Sequence, residues 1–141
     1  FRLPTEAEWE YACRGGTTGR WSFGDEEALL DDYAWHNQNS RQVGIPHAHV
    51  VGAKLPNPLG LYDMHGNVRE FTADWYAWPY WSEKQIDPTG PEYGPGFTVN
   101  HATRGGYFRS PAGRTRSASR SAQHEDYSDY GLGLRLAMDV P

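Results

Sequence analysis

One short segment carries the densest group of residues that could bind a metal ion. Residues 60–71 read GLYDMHGNVREF, in which Asp63 and Glu70 flank a Gly-Asn turn. A calcium ion takes about six to eight oxygen ligands, and a short loop supplies several when carboxylates alternate with backbone carbonyls. The turn would direct the carbonyls of Gly66 and Val68 between the two carboxylates. The spacing therefore predicts a site for one calcium ion.

The same segment also has a purely structural interpretation. Asparagine tolerates the left-handed turn conformation, so Asn67 fits an ordinary turn. Asp63 would then cap the turn, and Glu70 would pair with an arginine. The residues alone leave both interpretations open.

The composition predicts one compact α+β domain. The chain has 141 residues, which is about the size of a single domain. Aromatic residues must fill much of its interior, because they make up 14% of a chain that is only 38% hydrophobic. Sixteen glycines and ten prolines indicate long stretches of irregular backbone. A helical bundle would need periodic runs of Leu and Ala, so a small sheet with ordered loops is favoured.

Charge and cysteine content exclude several classes of partner and site. A net charge of −5 opposes non-specific binding of nucleic acid, although residues 104–120 hold five arginines and no acid. No apolar run is long enough to span a membrane, so we expect neither a nucleic-acid nor a membrane partner. The single cysteine, Cys13, excludes an internal disulfide and a multi-cysteine zinc site.

Local signals place the secondary-structure elements. Residues 3–16 predict a helix, because Thr5 and Glu8 form a capping box and Gly15 supplies a left-handed stop. The remaining expectations are a short helix near 25–33, a short strand near 49–52, a strand over 68–76, an irregular excursion over 77–102, and strands near 102–108 and 133–139.

Seven segments, taken in order, resemble the hallmark segments of the sulfatase-modifying factor family, the domain of the formylglycine-generating enzyme. They are RLPTEAEWEYACRGG (2–16), PNPLGLYDMHGNVREF (56–71), DWY (74–76), DPTGP (87–91), RGGYF (104–108), RSASR (116–120) and GLGLRLAMD (131–139). The resemblance implies a variant of the C-type-lectin-like fold, with a small antiparallel sheet and few helices. The family's domain usually begins well before the first of these segments. Residues 1–141 are therefore expected to be its C-terminal portion, which another segment or subunit could complete.

The resemblance also implies a calcium ion. Relatives bind calcium through the segment that matches residues 63–70, which implicates the side chains of Asp63 and Glu70 and the carbonyls of Gly66 and Val68. The family's second calcium loop is not carried over, because residues 35–50 contain no acidic residue.

The catalytic centre of the family is not expected in this chain. The formylglycine-generating enzyme oxidises a cysteine of a sulfatase with copper(I), which two cysteines hold. Their positions match Ser110 and, approximately, Thr115. Soft thiolates select copper(I), and hydroxyls do not replace them. We therefore expect no copper and no formylglycine generation. Iron chemistry of the sulfoxide-synthase type would need another domain, because His47 and His49 lack a third ligand here.

These observations favour a calcium-stabilised binding or accessory domain with a protein or small molecule as its ligand. Rings flanked by arginines make adaptable recognition surfaces. An alternative is a retroelement-diversified variable protein of the same fold, and a structural alternative is that many of these rings are core. The candidate ligand-binding residues are Trp78, Tyr107, Arg109, Arg114, Arg116, His124 and Tyr127, with Trp75, Tyr76, Tyr80, Trp81 and Tyr130 nearby.

Overall fold

A computed structural model describes residues 1–78, 85–92 and 100–139 of the chain. Tyr80 and Trp81 lie outside these residues. No helix in the described ranges is long and apolar enough to cross a bilayer. The helices are α1 Glu6–Arg14, α2 Leu30–Tyr33 and α3 Asn37–Gln42; the strands are β1 Arg69–Trp75, β2 Asn100–Arg104, β3 Arg120–His124 and β4 Leu132–Leu134; 3-10 turns cover Glu27–Leu29 and Ala112–Arg114.

Helix α1 forms as its sequence predicts. The Thr5 hydroxyl accepts a hydrogen bond from the Glu8 amide at 3.2 Å, and the Glu8 carboxylate accepts one from the Thr5 amide at 2.8 Å. Gly15 ends the helix with a φ of 57°, which glycine adopts at little cost. One face of the helix buries Trp9 and Cys13 against Met64. The capping box thus fixes the helix that carries this core cluster.

The four strands form one sheet in the order β3-β2-β1-β4. Strands β1, β2 and β3 are antiparallel neighbours, and β4 runs parallel to β1. The sheet is therefore mixed, whereas an antiparallel sheet was expected. The parallel edge arises because the chain crosses back after β3, so that Leu132 and Leu134 align with Arg69 and Phe71.

The two faces of the sheet differ in burial. Side chains alternate between the faces of a strand, so Glu70, Thr72 and Asp74 share one face of β1. All three are buried on the side where α1 packs. Residues Arg69 and Phe71 point to the opposite face and are only partly buried. Arg69 and Thr103 on that second face line a cleft.

Several elements differ from the sequence-based expectation. The strand expected near 49–52 is absent, because Gly52 turns the chain with a φ of 74° and the backbone of His49 pairs with a side chain instead. Strand β2 starts at Asn100 and stops before Gly105, whose φ is 91°. The last expected strand is confined to β4, with a single bridge beyond it between Arg2 and Ala137. Helix α3 and strand β3 were not predicted.

Candidate ligand-binding cleft and metal loop

An arginine-lined cleft of about 290 Å³ lies beside the partly buried face of the sheet. Strands β1, β2 and β3 and the loop after Gly105 contribute its walls. Four arginines line it and no carboxylate does. The arginines are Arg69, Arg109, Arg114 and Arg120. Although the chain has a negative net charge, four of its arginine side chains are therefore concentrated at this cleft.

Two side chains on the sheet leave hydrogen-bond donors unused in this cleft. Phe71 faces Thr103 in the register of β1 and β2, so Arg69, two residues earlier, shares the face of Thr103. The hydroxyl of Thr103 and the Nε of Arg69 are both buried, and neither has a hydrogen-bond partner among the residues that the structure describes. The Arg69 guanidinium lies 4.4 Å from the Tyr107 ring and makes a long contact of 3.4 Å with Asp129.

Glycine geometry holds the loop that closes the cleft. Gly106 has a φ of 71°, and a Cβ there would lie 3.0 Å from the Arg114 carbonyl oxygen. Gly131 packs on the ring of Tyr107, where a Cβ would come within 2.3 Å of a ring carbon. Side chains at these two positions would displace the loop. Gly106 lines the cleft, and Gly131 packs against Tyr107, which also lines it.

Charges around the cleft are not equally available. Arg120 pairs with Glu6 through two contacts of 2.6 Å and lies 4.8 Å from the Tyr76 ring. Arg109 and Arg114 are exposed at the rim. The rim arginines therefore offer charge to a ligand, whereas the charge of Arg120 is largely balanced by Glu6.

The predicted ligand-binding residues divide between the cleft and other surfaces. Tyr107, Arg109 and Arg114 line the cleft. The other four lie elsewhere: Arg116 donates to the Gly113 carbonyl, His124 ends β3 beside Asp126, Tyr127 donates to Asp129, and Trp78 faces a groove with Tyr11 of α1. Sequence reasoning missed Arg69 and Thr103, although the alternation of residues 68–76 places Arg69 beside Phe71 on one face.

Both positions that match the family's copper cysteines carry hydroxyls with internal partners. Ser110 is buried, and its Oγ accepts a hydrogen bond from the Tyr107 amide at 3.0 Å. Thr115 accepts from the Trp21 indole at 3.0 Å and donates to the Ala112 carbonyl at 2.8 Å. Cys13 is buried in α1, and desolvation raises the pKa of its thiol to about 12. This donor set does not fit copper(I).

Residues 63–70, predicted to bind calcium and called the metal loop below, contain one acidic side chain with an oxygen that no described residue pairs. Asp63 adopts a φ of 61°, and its Oδ2 accepts a hydrogen bond from the Gly52 amide at 2.8 Å. Its Oδ1 is buried and has no hydrogen-bond partner within the described ranges. Asn67 has a φ of 67°, and its side chain binds both backbone groups of His49. An unpaired buried carboxylate oxygen is an arrangement that suits a cation.

Glu70 has an internal partner instead. Arg135 donates to both of its carboxylate oxygens at 3.0 and 2.9 Å, and the Trp9 indole donates at 2.6 Å. The structural interpretation of Glu70 as the partner of an arginine is thereby confirmed. A calcium ion would have to share the Glu70 carboxylate with Arg135. Among the described residues, no three His, Cys, Asp or Glu side chains converge on one point.

Gly66 is required for packing whether or not an ion binds. A Cβ at this position would lie 2.2 Å from the carbonyl oxygen of Trp35. The following residue, Asn67, donates its amide to the same oxygen at 2.8 Å. The close approach brings the metal loop against the segment that precedes α3.

Comparison with known proteins identifies the family. The family model described as the sulfatase-modifying factor enzyme 1-like domain matches residues 1–140. The chain belongs to the sulfatase-modifying factor family. It is 39% identical to the formylglycine-generating enzyme of Streptomyces coelicolor, an alignment that covers 99% of this chain and 47% of that enzyme. The chain thus spans about half the length of this relative.

The chain is also similar to parts of two other kinds of protein. The chain is 33% identical to part of the serine/threonine-protein kinase pkn1 of Chlamydia pneumoniae, covering 99% of this chain and 21% of the kinase. The solved structure of Treponema denticola variable protein 1 superposes with a TM-score of 0.84 at 37% identity, over 94% of this chain and 45% of that one. The expected fold, the formylglycine-generating-enzyme variant of the C-type-lectin-like fold, is confirmed.

Proposed function

We propose that the chain is a non-catalytic binding or accessory module of the sulfatase-modifying factor family, which holds its ligand in the arginine-lined cleft. The observation that carries the proposal is Ser110. It lines the cleft at a position that matches a copper cysteine, and its Oγ accepts a hydrogen bond from the Tyr107 amide. The concave surface is therefore present, while the soft ligands that the family's oxidation needs are replaced.

Two comparisons support binding over catalysis. A domain like this chain makes up 21% of a chlamydial protein named as a kinase, which is the arrangement expected of an accessory module. The likeness to Treponema denticola variable protein 1 favours, as a second candidate, a diversified variable ligand-binding protein. Both candidates assign the ligand to the same loops. Only the diversified variable protein requires the amino-acid sequences of those loops to vary among related loci. Sequencing of such loci would decide between the two candidates.

The oxidoreductase alternative gives a direct test of the proposal. We expect no aldehyde when the protein is incubated with copper(I), oxygen and a cysteine-containing sulfatase peptide, because Ser110 and Thr115 cannot supply thiolates. Mass spectrometry of the peptide measures the product. The Streptomyces coelicolor enzyme, treated in parallel, is the positive control. Aldehyde formed by this chain above the peptide-only blank would overturn the non-catalytic proposal.

We further propose that the metal loop binds one calcium ion, with Asp63 and Glu70 contributing carboxylate oxygens and Gly66 and Val68 contributing carbonyls. The free Oδ1 of Asp63 supports the assignment. Arg135 balances one of the two negative charges, so the loop would bind calcium less tightly than two unpaired carboxylates would.

Calcium should therefore raise the thermal midpoint of the protein. Saturation at about a hundred times the dissociation constant adds about 2.7 kcal/mol, which corresponds to roughly 5 °C or more for a domain of this size. We expect Asp63→Asn and Glu70→Gln to reduce that rise. Asparagine keeps the left-handed backbone and an acceptor for Gly52, so the first variant changes mainly charge. Differential scanning calorimetry with calcium and with chelator measures the effect.

The matched control is Asp126→Asn, a change to an exposed carboxylate outside the metal loop. It should leave the calcium-dependent rise intact. Equal midpoints of the unmodified protein in calcium and in chelator would refute the calcium assignment while leaving the cleft unaffected.

A further inference from the structure

We propose that the floor of the arginine-lined cleft is an oxyanion site, in which Arg69 and Thr103 donate hydrogen bonds to a phosphate or sulfate group of the ligand. The inference deepens the proposed function, on which it rests for the cleft being the place where the ligand binds. It adds the chemical class of the group that is recognised and the two side chains that recognise it.

Two buried donors beside the cleft lack an acceptor among the described residues. Thr103 is 1% exposed, and its hydroxyl has no hydrogen-bond partner in that part of the chain. The Nε of Arg69 is likewise buried with no partner there. Burying such groups unpaired costs about 1–3 kcal/mol each. Both residues line one cleft, and an acceptor that reaches these two donor atoms would satisfy both.

Charge decides which acceptor fits. Among the residues that line the cleft, no carboxylate accompanies the four arginines. Among the described residues, the one carboxylate that Arg69 contacts is Asp129, at 3.4 Å, and Arg109 and Arg114 at the rim are exposed. A neutral carbonyl would bring no counter-charge to these three arginines. An anion is therefore favoured, and the planar guanidinium fork matches the oxygen spacing of phosphate and sulfate.

The site is held in place by packing rather than by the ligand. The Tyr107 ring lies 4.4 Å from the Arg69 guanidinium, and Gly131 packs against the same ring. The Tyr107 amide donates a hydrogen bond to Ser110 Oγ, which holds the loop between these two residues in place. Thr103 is fixed by its position in β2, between β1 and β3. Such preorganisation lowers the entropic cost of binding.

NMR of the arginine Nε–H groups tests the inference directly. The full chain would be titrated with inorganic phosphate, with sulfate and with acetate, in separate arms at constant ionic strength. We expect the Arg69 Nε–H signal to shift and saturate with phosphate, with sulfate or with both, and much less with acetate. The arm with the lower dissociation constant identifies which of the two groups the site prefers.

Two variants assign the binding to the named side chains. Thr103→Val keeps the shape of the side chain and removes the hydroxyl, and Arg69→Lys keeps the charge and removes the fork. Each should raise the dissociation constant about tenfold or more. The matched control is Arg116→Lys, because Arg116 is exposed and lies outside the cleft. It should leave binding unchanged.

The outcomes are distinct from those of the copper assay. No saturable shift in the unmodified protein, or equal affinity in Thr103→Val, would overturn the oxyanion site. Neither result depends on whether aldehyde forms, so the non-catalytic proposal is decided separately. The titration of the unmodified chain decides the inference even if Arg69→Lys fails to fold.

Discussion

Replacing Arg104 with methionine should lower the free energy of unfolding by about 3 kcal/mol, because the guanidinium is buried and satisfies several acceptors at once. Its side chain is completely inaccessible to solvent. It donates to the carbonyls of Ser117 and Ser119 at 3.0 and 2.6 Å and to the carboxylate of Glu10. Methionine replaces the aliphatic part of the side chain, is shorter than arginine and leaves these acceptors unpaired.

The loss of stability in Arg104→Met depends on the ion pairs that its carboxylate partners keep. Glu6 lies 3.2 Å from Arg104 but keeps its pair with Arg120, and Glu10 keeps its pair with Arg14. The two carboxylates therefore do not become isolated charges, which places the expected cost at the lower end of the range for broken buried pairs. Arg104→Lys should cost about 2 kcal/mol, since one ammonium cannot replace the five-donor guanidinium at all of these acceptors.

Urea unfolding with a constant m value measures both variants. Arg41→Met is the matched control, because Arg41 is exposed on α3, and it should change stability by less than about 0.5 kcal/mol. If Arg104→Met proved as stable as the unmodified chain, the buried pairs around α1 would contribute no net stability.

Elements with local signals could be predicted from the sequence. The capping box of Thr5 and Glu8 and the stop at Gly15 lie within one segment, so α1 was correctly predicted. Strand β1 was predicted from its own alternation. Strand β3 was not, since RSAQH is only partly buried and has little apolar pattern of its own. Its strand conformation depends on pairing with β2.

The candidate site was less predictable for the same reason. Its residues come together through distant contacts: Glu70 pairs with Arg135, 65 positions away, and Asn67 binds the backbone of His49. The turn at Asn67 could be predicted, because its left-handed conformation is a local property. The partner of Glu70 could not be named, although an arginine was anticipated as one alternative. Thr103 was missed because its neighbours are set by sheet register.

Acidification should weaken the fold through His65. The ring is 2% exposed, and both of its nitrogens take part in hydrogen bonds. Nδ1 lies 2.9 Å from the Thr115 carbonyl oxygen and must donate to it. Nε2 must then accept from the Ser22 amide at 3.1 Å. Protonation would place a second N–H against that amide donor. Burial lowers the pKa of His65 from 6.5 to about 4.

The sign of the pH dependence follows from this lowered pKa. Between pH 6.5 and about 4 the unfolded chain binds a proton at His65 and the folded chain does not, so stability falls as the pH falls. The contribution is complete above pH 6.5 and is lost by pH 4. The shift corresponds to about 3 kcal/mol. Asp74, whose pKa burial raises, acts in the opposite direction and therefore reduces the net loss.

Substitution separates His65 from other groups that titrate in this range. His65→Gln can still donate to Thr115 and accept from Ser22, but it does not titrate. The difference in unfolding free energy between the unmodified protein and this variant should decrease by about 3 kcal/mol from pH 7 to pH 4, because every other group cancels. Gln38→Asn, a change between two side chains that do not titrate at an exposed position, should give a constant difference. Parallel stability curves for the unmodified chain and His65→Gln, or an imidazole that titrates near 6.5 by NMR, would show that the neutral ring does not join Thr115 and Ser22 in the folded state.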